Sequence, residues 1–149
     1  MNDYRSQYYG QRTSSSKTSI SSLNLIEKPS LDDNVRSVIP SIWGKQLWFS
    51  LHFGALNYPL NPTPEMQIMQ IGFIKGLPMM IPCDKCKNHS QEYITSRPVE
   101  IEYAVTNPYR LFKFFVDFHN YVNKLTNKKE MSLEQAFELY SKNPLKALA

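Results

Sequence analysis

The two cysteines of this 149-residue chain lie three positions apart, at Cys83 and Cys86. Two thiols with this spacing can close a tight disulfide or share one metal ion, and few other uses explain it. Pro82 is suited to the first position of a helix, and the residues from Lys85 to Thr95 include enough good helix formers for about three turns. A helix dipole favours the thiolate form of cysteines in the first turn, so the sequence predicts a redox-active dithiol.

The composition excludes several classes of protein. Hydrophobic residues make up 42% of the chain, which is enough for one core, and the net charge of +4 includes no basic block that would argue for a nucleic acid partner. No run approaches the ~18 consecutive apolar residues of a membrane span, and the N-terminus lacks the apolar centre of a secretory signal. We therefore expect a cytoplasmic protein, where a lone cysteine pair more often has chemistry to do than a structural role.

Residues 1–38 are predicted to be a disordered, Ser-rich tail, because they contain no apolar period that a fold could bury. A helical domain is expected over residues 39–142, followed by a short C-terminal tail at 143–149. The periodicity of the domain predicts an all-α fold, a four-helix bundle with a short fifth helix. The helices are predicted at about 41–58, 65–75, 82–95, 108–125 and 132–140, with Ser41 and Ser132 as N-caps, and residues 99–105 as a connector that could form a short strand. In the second helix, five residues are expected to pack inward: Met66, Ile68, Met69, Ile71 and Phe73.

Polar and aromatic groups outside the cysteine pair require an explanation. Trp48 and His52 lie four residues apart and therefore share one helix face. His119, Asn120 and Asn123 have helical spacing on a segment that is otherwise strongly apolar, so we expect all three to point to one site. Because a buried polar group without a partner costs about 1–3 kcal/mol, a ligand rich in donors and acceptors would account for this trio.

Each of these groups also has a simpler interpretation. Trp48 taken alone is more often a core residue, His52 is as often a structural histidine, His119 could cap a helix, and the thiols could be unreactive. A zinc site formed by both cysteines with His89 and His119 is the sharper alternative, although these histidines lack the paired spacing of common zinc sites. A thioredoxin-like role is disfavoured because the strand–turn–helix context of that fold is missing.

Three motifs follow one another along the chain. They are Gly-Lys-Gln-Leu-Trp-Phe-Ser-Leu-His at 44–52 with Tyr58-Pro59, Pro-Cys-Asp-Lys-Cys at 82–86, and His-Asn-Tyr-Val-Asn-Lys at 119–124. In this order and approximate spacing they resemble the Erv/ALR family of FAD-linked sulfhydryl oxidases, and the resemblance covers roughly residues 41–130. The short chain, its cytosolic character and its Asn-rich composition suggest a member from a large DNA virus, located in the host cytoplasm or the virion.

The resemblance implies a helical bundle that binds FAD beside a catalytic pair formed by Cys83 and Cys86. It implies FAD contacts from ten residues: Lys45, Trp48, His52, Tyr58, His119, Asn120, Val122, Asn123, Lys124 and Lys128. The implied activity is a thiol oxidase that forms disulfides in protein substrates. A substrate thiolate attacks the outer sulfur, Cys83, then Cys86 passes two electrons to FAD, and O2 is reduced to hydrogen peroxide.

The chain also departs from the family pattern. Many members carry a second, shuttle cysteine pair and a structural disulfide, and a chain with 2 cysteines has neither. Substrates are therefore expected to reach Cys83 directly or through a thioredoxin-like relay protein, and a homodimer, usual in this family, is expected to help stabilise the fold. Lys45 lies where the family often has arginine, which keeps the charge but loses the fork geometry. The alternatives are a zinc-stabilised non-catalytic interaction module and an inactive member that binds FAD structurally.

Overall fold

The computed structural model describes residues 39–148, and every regular element in this range is helical. In chain order the elements are α1 (Pro40–Leu56), α2 (Pro64–Gly76), a one-turn 3-10 helix (Leu77–Met80), α3 (Asp84–Thr95), α4 (Pro98–Ala104), α5 (Pro108–Leu125), α6 (Leu133–Lys142) and α7 (Pro144–Leu148). The predicted all-α class is confirmed, and α4 and α7 add to the five predicted helices. The predicted disordered tail at 1–38 lies outside the described residues.

The helix starts follow from local chemistry. Proline occupies the first position of α1, α2, α4 and α5, where its preset φ suits the helix and its missing N–H leaves no intrahelical bond unmade. Ser132 and Gln135 form a complete capping box at α6, as expected from Ser132. Two predicted starts are wrong by a residue or two. Helix α1 begins at Pro40 rather than after a Ser41 cap, and Pro82 precedes α3, whose N-cap is Cys83.

Helix α5 is the centre of the core. Four of its side chains are almost fully buried: Leu111, Phe112, Phe115 and Phe118. Helix α1 packs along α5 and buries Leu51 and Ala55 against it. Full burial of one such apolar side chain stabilises the fold by about 1.5–3 kcal/mol, so this contact holds the two helices side by side. The same contact between α1 and α5 brings Trp48 on α1 close to His119 on α5.

The prediction of a connector or short strand at 99–105 is wrong, because residues Pro98–Ala104 form α4. Ile101, Ala104 and Val105 are buried and occupy positions i, i+3 and i+4, which is the spacing of one helix face. Helix α4 packs against α5, so the tertiary contact favours the helical period over the β-branched composition of the segment.

Helix α2 does not bury the face that its sequence suggests. Met66, Ile68, Met69 and Phe73 are between 40% and 69% exposed, and Ile71 is only half-buried. Ile74 is the buried residue of this helix. The helix is apolar on several sides, so its periodicity does not identify which side meets the core. As a result α2 carries an exposed apolar surface, here called the α2 face: Met66, Ile68, Met69 and Phe73.

The segment after residue 142, expected to be a tail, contains α7, which packs against α1 and α6. Ala147 contributes to the edge of the core. Within residues 39–148, no helix combines the length and the hydrophobicity that a membrane-spanning segment requires.

Candidate active site

Cys83 and Cys86 form a disulfide at the start of α3, with their Cα atoms 5.2 Å apart. Cys83 is the N-cap of this helix, and its Sγ accepts a hydrogen bond from the backbone N–H of Cys86 at 3.2 Å. The free N–H groups and the dipole at a helix N-terminus stabilise negative charge on a nearby sulfur. When the disulfide is reduced, this geometry therefore favours a thiolate, as the sequence predicts.

The disulfide lies on the wall of a cavity of about 400 Å³, a size typical of sites for organic ligands. The wall comes from the first half of α1, the first half of α3 and the C-terminal half of α5. Six of the ten residues predicted to contact FAD line this cavity together with both cysteines: Lys45, Trp48, His119, Val122, Asn123 and Lys128. Three helices that are distant in sequence thus meet at one site.

Aromatic rings stack along one side of the cavity. The His119 ring lies parallel to the Trp48 ring, with centroids 4.1 Å apart, and the Phe118 ring meets Trp48 edge-on at 5.2 Å. His52 lies behind them at 1% exposure, with its ring centroid 5.3 Å from that of His119. These contacts form a rigid aromatic wall that suits a planar ligand.

His119 in this wall and His52 behind it are both held neutral. Burial lowers the pKa of His52 to about 4, against a smaller opposing effect of its hydrogen bond to the Trp48 backbone. Burial, together with smaller contributions from the neighbouring His52 and Lys128, lowers the pKa of His119 to about 3. The Nδ1 atom of His52 lies 2.6 Å from the carbonyl oxygen of Trp48. A carbonyl only accepts, so Nδ1 carries the proton and the tautomer of His52 is set.

Positive charge lines the same cavity. Lys45, Lys85 and Lys128 belong to its wall, and the residues described around it include no carboxylate. Lysine ammonium groups form charge-assisted hydrogen bonds with phosphate oxygens. An aromatic wall next to lysines is a surface suited to a ligand that combines a planar ring system with phosphates.

The end of α5 positions Lys128. Asn127 adopts a left-handed conformation with φ 53° directly after the C-cap. The backbone N–H of Lys128 then donates to the Asn123 carbonyl at 2.8 Å, and that of Asn127 donates to the Lys124 carbonyl at 3.3 Å. These two bonds are the Schellman arrangement that reverses a chain after a helix. The turn directs the chain so that Lys128 borders the cavity.

The other predicted FAD residues lie elsewhere. His52 stands behind the aromatic wall rather than on it, and Tyr58 is not part of the lining. The Tyr58 hydroxyl is buried and has no hydrogen-bond partner among the described residues. Asn120 and Lys124 border a separate polar groove with Tyr93 and Arg97.

Helix geometry explains why Asn120 and Lys124 are not at the cavity. Successive residues turn by about 100°, so Asn123 lies about 40° from His119 around the axis, whereas Asn120 lies about 100° away and Lys124 about 140° away. Asn120 instead holds Met131: its Nδ2 donates to the Met131 carbonyl at 2.7 Å, and the Met131 N–H donates to its Oδ1 at 2.9 Å. Its amide is therefore satisfied within the fold.

The sequence reasoning missed several wall residues: Trp43, Gly44, Ser90, Phe118 and Thr126. Ser90 is buried, and its hydroxyl donates to the Cys86 carbonyl at 2.8 Å. The missed signal was periodicity, since Gly44 lies four residues before Trp48 and Ser90 four residues after Cys86. Residues four apart share a helix face.

The zinc alternative is not supported. His89 and His119 both border the cavity with the cysteines. Nevertheless, the described residues hold no group of three or more His, Cys, Asp or Glu side chains that could bind a metal ion. Both sulfurs are joined to each other in the disulfide, whereas a zinc site requires them as separate thiolates.

Known proteins are similar to this chain in both sequence and fold. Residues 45–141 match the model of the Erv1 / Alr family. A protein of Invertebrate iridescent virus 3 named as an FAD-linked sulfhydryl oxidase is 32% identical over 104 residues, which span 70% of this chain and 69% of the relative. The FAD-linked sulfhydryl oxidase of an African swine fever virus isolate from Kenya is 29% identical over 106 residues, covering 71% of this chain and 86% of the relative.

Solved structures agree on the architecture. The crystal structure of the yeast Erv1 core superposes with a TM-score of 0.63 at 20% identity, over 93% of this chain and 98% of that chain. A cysteine-to-serine double mutant of Erv1 from Saccharomyces cerevisiae also gives 0.63, at 21% identity, over 69% of this chain and 84% of that chain. At this identity the likeness establishes the fold, and the sequence matches establish the relationship. The chain therefore belongs to the Erv1/Alr family.

Proposed function

We propose that this protein is an FAD-dependent thiol oxidase that forms disulfide bonds in protein substrates. The observation that carries the proposal is the Cys83–Cys86 disulfide on the wall of a cavity that is also lined by stacked aromatic rings and lysines. The viral relatives named as FAD-linked sulfhydryl oxidases support the same activity.

The residues of the cavity fit FAD. The stacked rings of Trp48 and His119 line the cavity and suit a planar ring system, and because His119 is neutral it adds no charge against that ring. Lys45 and Lys128 suit the pyrophosphate, and Asn123 offers an amide to polar edges of the cofactor. We propose that these residues, with Val122, hold FAD, and that His52 acts indirectly by supporting Trp48 and His119.

The disulfide and its helix perform the exchange with substrate. A substrate thiolate attacks the Cys83 Sγ, the S–S bond breaks, and Cys86 leaves as a thiolate. A second substrate thiolate then attacks the substrate sulfur of the mixed disulfide, which releases Cys83 and yields the oxidised substrate. The N–H groups at the start of α3 stabilise the thiolate that forms in each step. Bound FAD supplies the two-electron acceptor for the reduced pair and the route from O2 to hydrogen peroxide.

A visible absorbance spectrum and an oxygen electrode test this proposal. We expect a yellow protein whose flavin absorbance bleaches when dithiothreitol is added without oxygen. Cys86→Ser is expected to abolish oxygen consumption while FAD stays bound, and Ser50→Ala on the exposed side of α1 is the matched control with full turnover. A folded but colourless preparation, or full turnover in Cys86→Ser, would contradict the proposal.

We also propose that the protein is a homodimer formed through the α2 face. Ile68, Met69 and Phe73 are each more than half exposed in the single chain. Exposed apolar side chains grouped on one helix are typical of an interaction surface, and a second copy would remove them from water on both partners at once. Sedimentation velocity should give a dimer that Phe73→Glu converts to a monomer, whereas Val99→Glu on α4 should leave it intact. A monomeric wild-type protein at micromolar concentration would exclude this dimer.

We propose that electrons reach the Cys83–Cys86 pair directly from another molecule. The chain has 2 cysteines and both belong to the active-site disulfide. Reduced protein substrates, or a thioredoxin-like relay protein that carries their electrons, must therefore react with this pair directly. The relatives are proteins of large DNA viruses, and we propose that this chain acts in the cytoplasm of an infected cell or in the virion.

A further inference from the structure

The 3-10 helix immediately before the disulfide presents two methionines to solvent. Leu77 and Pro78 are buried and anchor this turn, whereas Met79 and Met80 are 69% and 79% exposed. The turn is closed by the Ile81 N–H, which donates to the Pro78 carbonyl at 3.2 Å, and it packs against α2 and α3. The methionine pair thus stands on a rigid base rather than on a loose loop.

The pair lies within reach of any chain that reacts at Cys83. Met80 precedes Cys83 by three residues, which limits their Cα separation to roughly 10 Å. In a substrate, the three residues on either side of the reacting cysteine span a similar distance. Ile81, between the two, is buried and belongs to the wall of the cavity.

The proposed exchange reaction brings another molecule into contact with the surface around Cys83. The incoming sulfur must approach the Cys83 Sγ, and the chain has no cysteine besides the disulfide pair. The sulfur therefore belongs to another molecule, and the residues beside it must lie on the surface around Cys83. Among the charged neighbours, Asp84 and Lys87 form an ion pair at 3.6 Å, and Lys85 belongs to the wall of the cavity. Met79 and Met80 are the exposed apolar side chains that lie next to Cys83 along the chain.

We propose that Met79 and Met80 form the docking surface for the thiol-bearing segment of protein substrates and favour cysteines that have apolar neighbours. The inference rests on the proposed thiol oxidase function. Methionine is unbranched, flexible and polarizable, so a methionine pair adapts to apolar side chains of many shapes. Such a surface selects substrates by apolar character near the cysteine and does not require one sequence.

Two synthetic dithiol peptides test the proposal on the intact FAD-loaded protein. Both contain the same two cysteines, flanked by leucine and phenylalanine in one peptide and by serine and asparagine in the other. We expect the wild type to oxidise the apolar peptide with about tenfold higher kcat/KM, the effect of partly burying two methionine side chains. The double variant Met79→Gln/Met80→Gln should reduce this preference to less than about twofold and oxidise dithiothreitol at the wild-type rate.

The matched control is Val99→Gln, which removes an equally exposed apolar side chain from α4 and should keep the preference. Equal use of both peptides by the wild type, or an unchanged preference in the double variant, would overturn the proposal. So would a double variant that sediments as a monomer while the wild type is a dimer, because the pair would then be an interface between copies. A wild type that oxidises neither peptide nor dithiothreitol would instead refute the thiol oxidase function.

Discussion

The two asparagines of the motif at 119–124 provide a sharp test of the site, because the structure gives them different tasks. Asn120 makes two hydrogen bonds to the backbone of Met131 and ties α5 to the segment before α6. Asn123 borders the cavity proposed for FAD. Alanine substitution removes the same amide from neighbouring faces of one helix, so each variant serves as the control for the other.

The expected magnitude follows from the hydrogen bonds. Asn120→Ala deletes two of them, each worth about 1 kcal/mol, and leaves the Met131 N–H and carbonyl without their partners. Asn120 and Met131 are both half-buried, so water replaces part of what is lost. We expect the free energy of unfolding to fall by about 2 kcal/mol, which lowers the melting temperature of a domain of this size by roughly 8 °C.

Urea denaturation at limiting and at saturating FAD, together with FAD titration by flavin fluorescence, separates the two roles. Asn120→Ala should lose the same free energy at both FAD concentrations and bind FAD with wild-type affinity. Asn123→Ala should bind FAD about tenfold more weakly and lose stability only where FAD is saturating, because a ligand stabilises the state that binds it. The assignment is refuted if Asn120→Ala weakens FAD binding tenfold while its unfolding free energy at limiting FAD is unchanged.

Three further predictions concern the turn after α5 and the buried histidines. Asn127→Val should destabilise the protein by about 1–2 kcal/mol in urea denaturation, because a β-branched residue is strained at positive φ, whereas Asn127→Gly should be tolerated. Lys128→Ala should weaken FAD binding and make it less dependent on salt in a fluorescence titration, and Lys128→Arg should largely restore both; equal salt dependence in all three proteins would contradict the phosphate role. The pKa values of His52 and His119, about 4 and about 3, lie below that of an unfolded histidine, so the unfolded chain binds more protons between pH 6.5 and 4. Stability should therefore fall as pH drops from 7 to 5, by up to about 2 kcal/mol for each histidine, and His52→Phe should flatten the profile measured by urea denaturation.

Local signals explain what was predictable. Proline at the first helical position, the Thr63 side chain that accepts from the Met66 N–H, and the Ser132 capping box act within one turn of chain, so the starts of α2, α5 and α6 could be read directly. The position of the cysteine pair at a helix start is also local. The order of the three motifs predicted the family, because each motif needs only its own residues.

The failures have a common cause, which is that burial depends on distant segments. Val99 to Val105 has β-branched residues that suggest a strand, and only its contact with α5 selects the helix. Helix α2 is apolar on several sides, and only the shape of the bundle decides that Ile74 faces inward while Phe73 does not.

Local sequence signals were sufficient to locate the starts of α2, α5 and α6, to place the two thiols at a helix start, and to identify the family of the chain. Which side of each helix faces the cavity depends instead on how the helices pack together. Asn120 and Asn123 are equally polar and only three residues apart, yet one holds the Met131 backbone and the other borders the cavity. The physical reason is that α1, α3 and α5 meet through apolar side chains far apart in the chain, and this packing fixes the rotation of each helix.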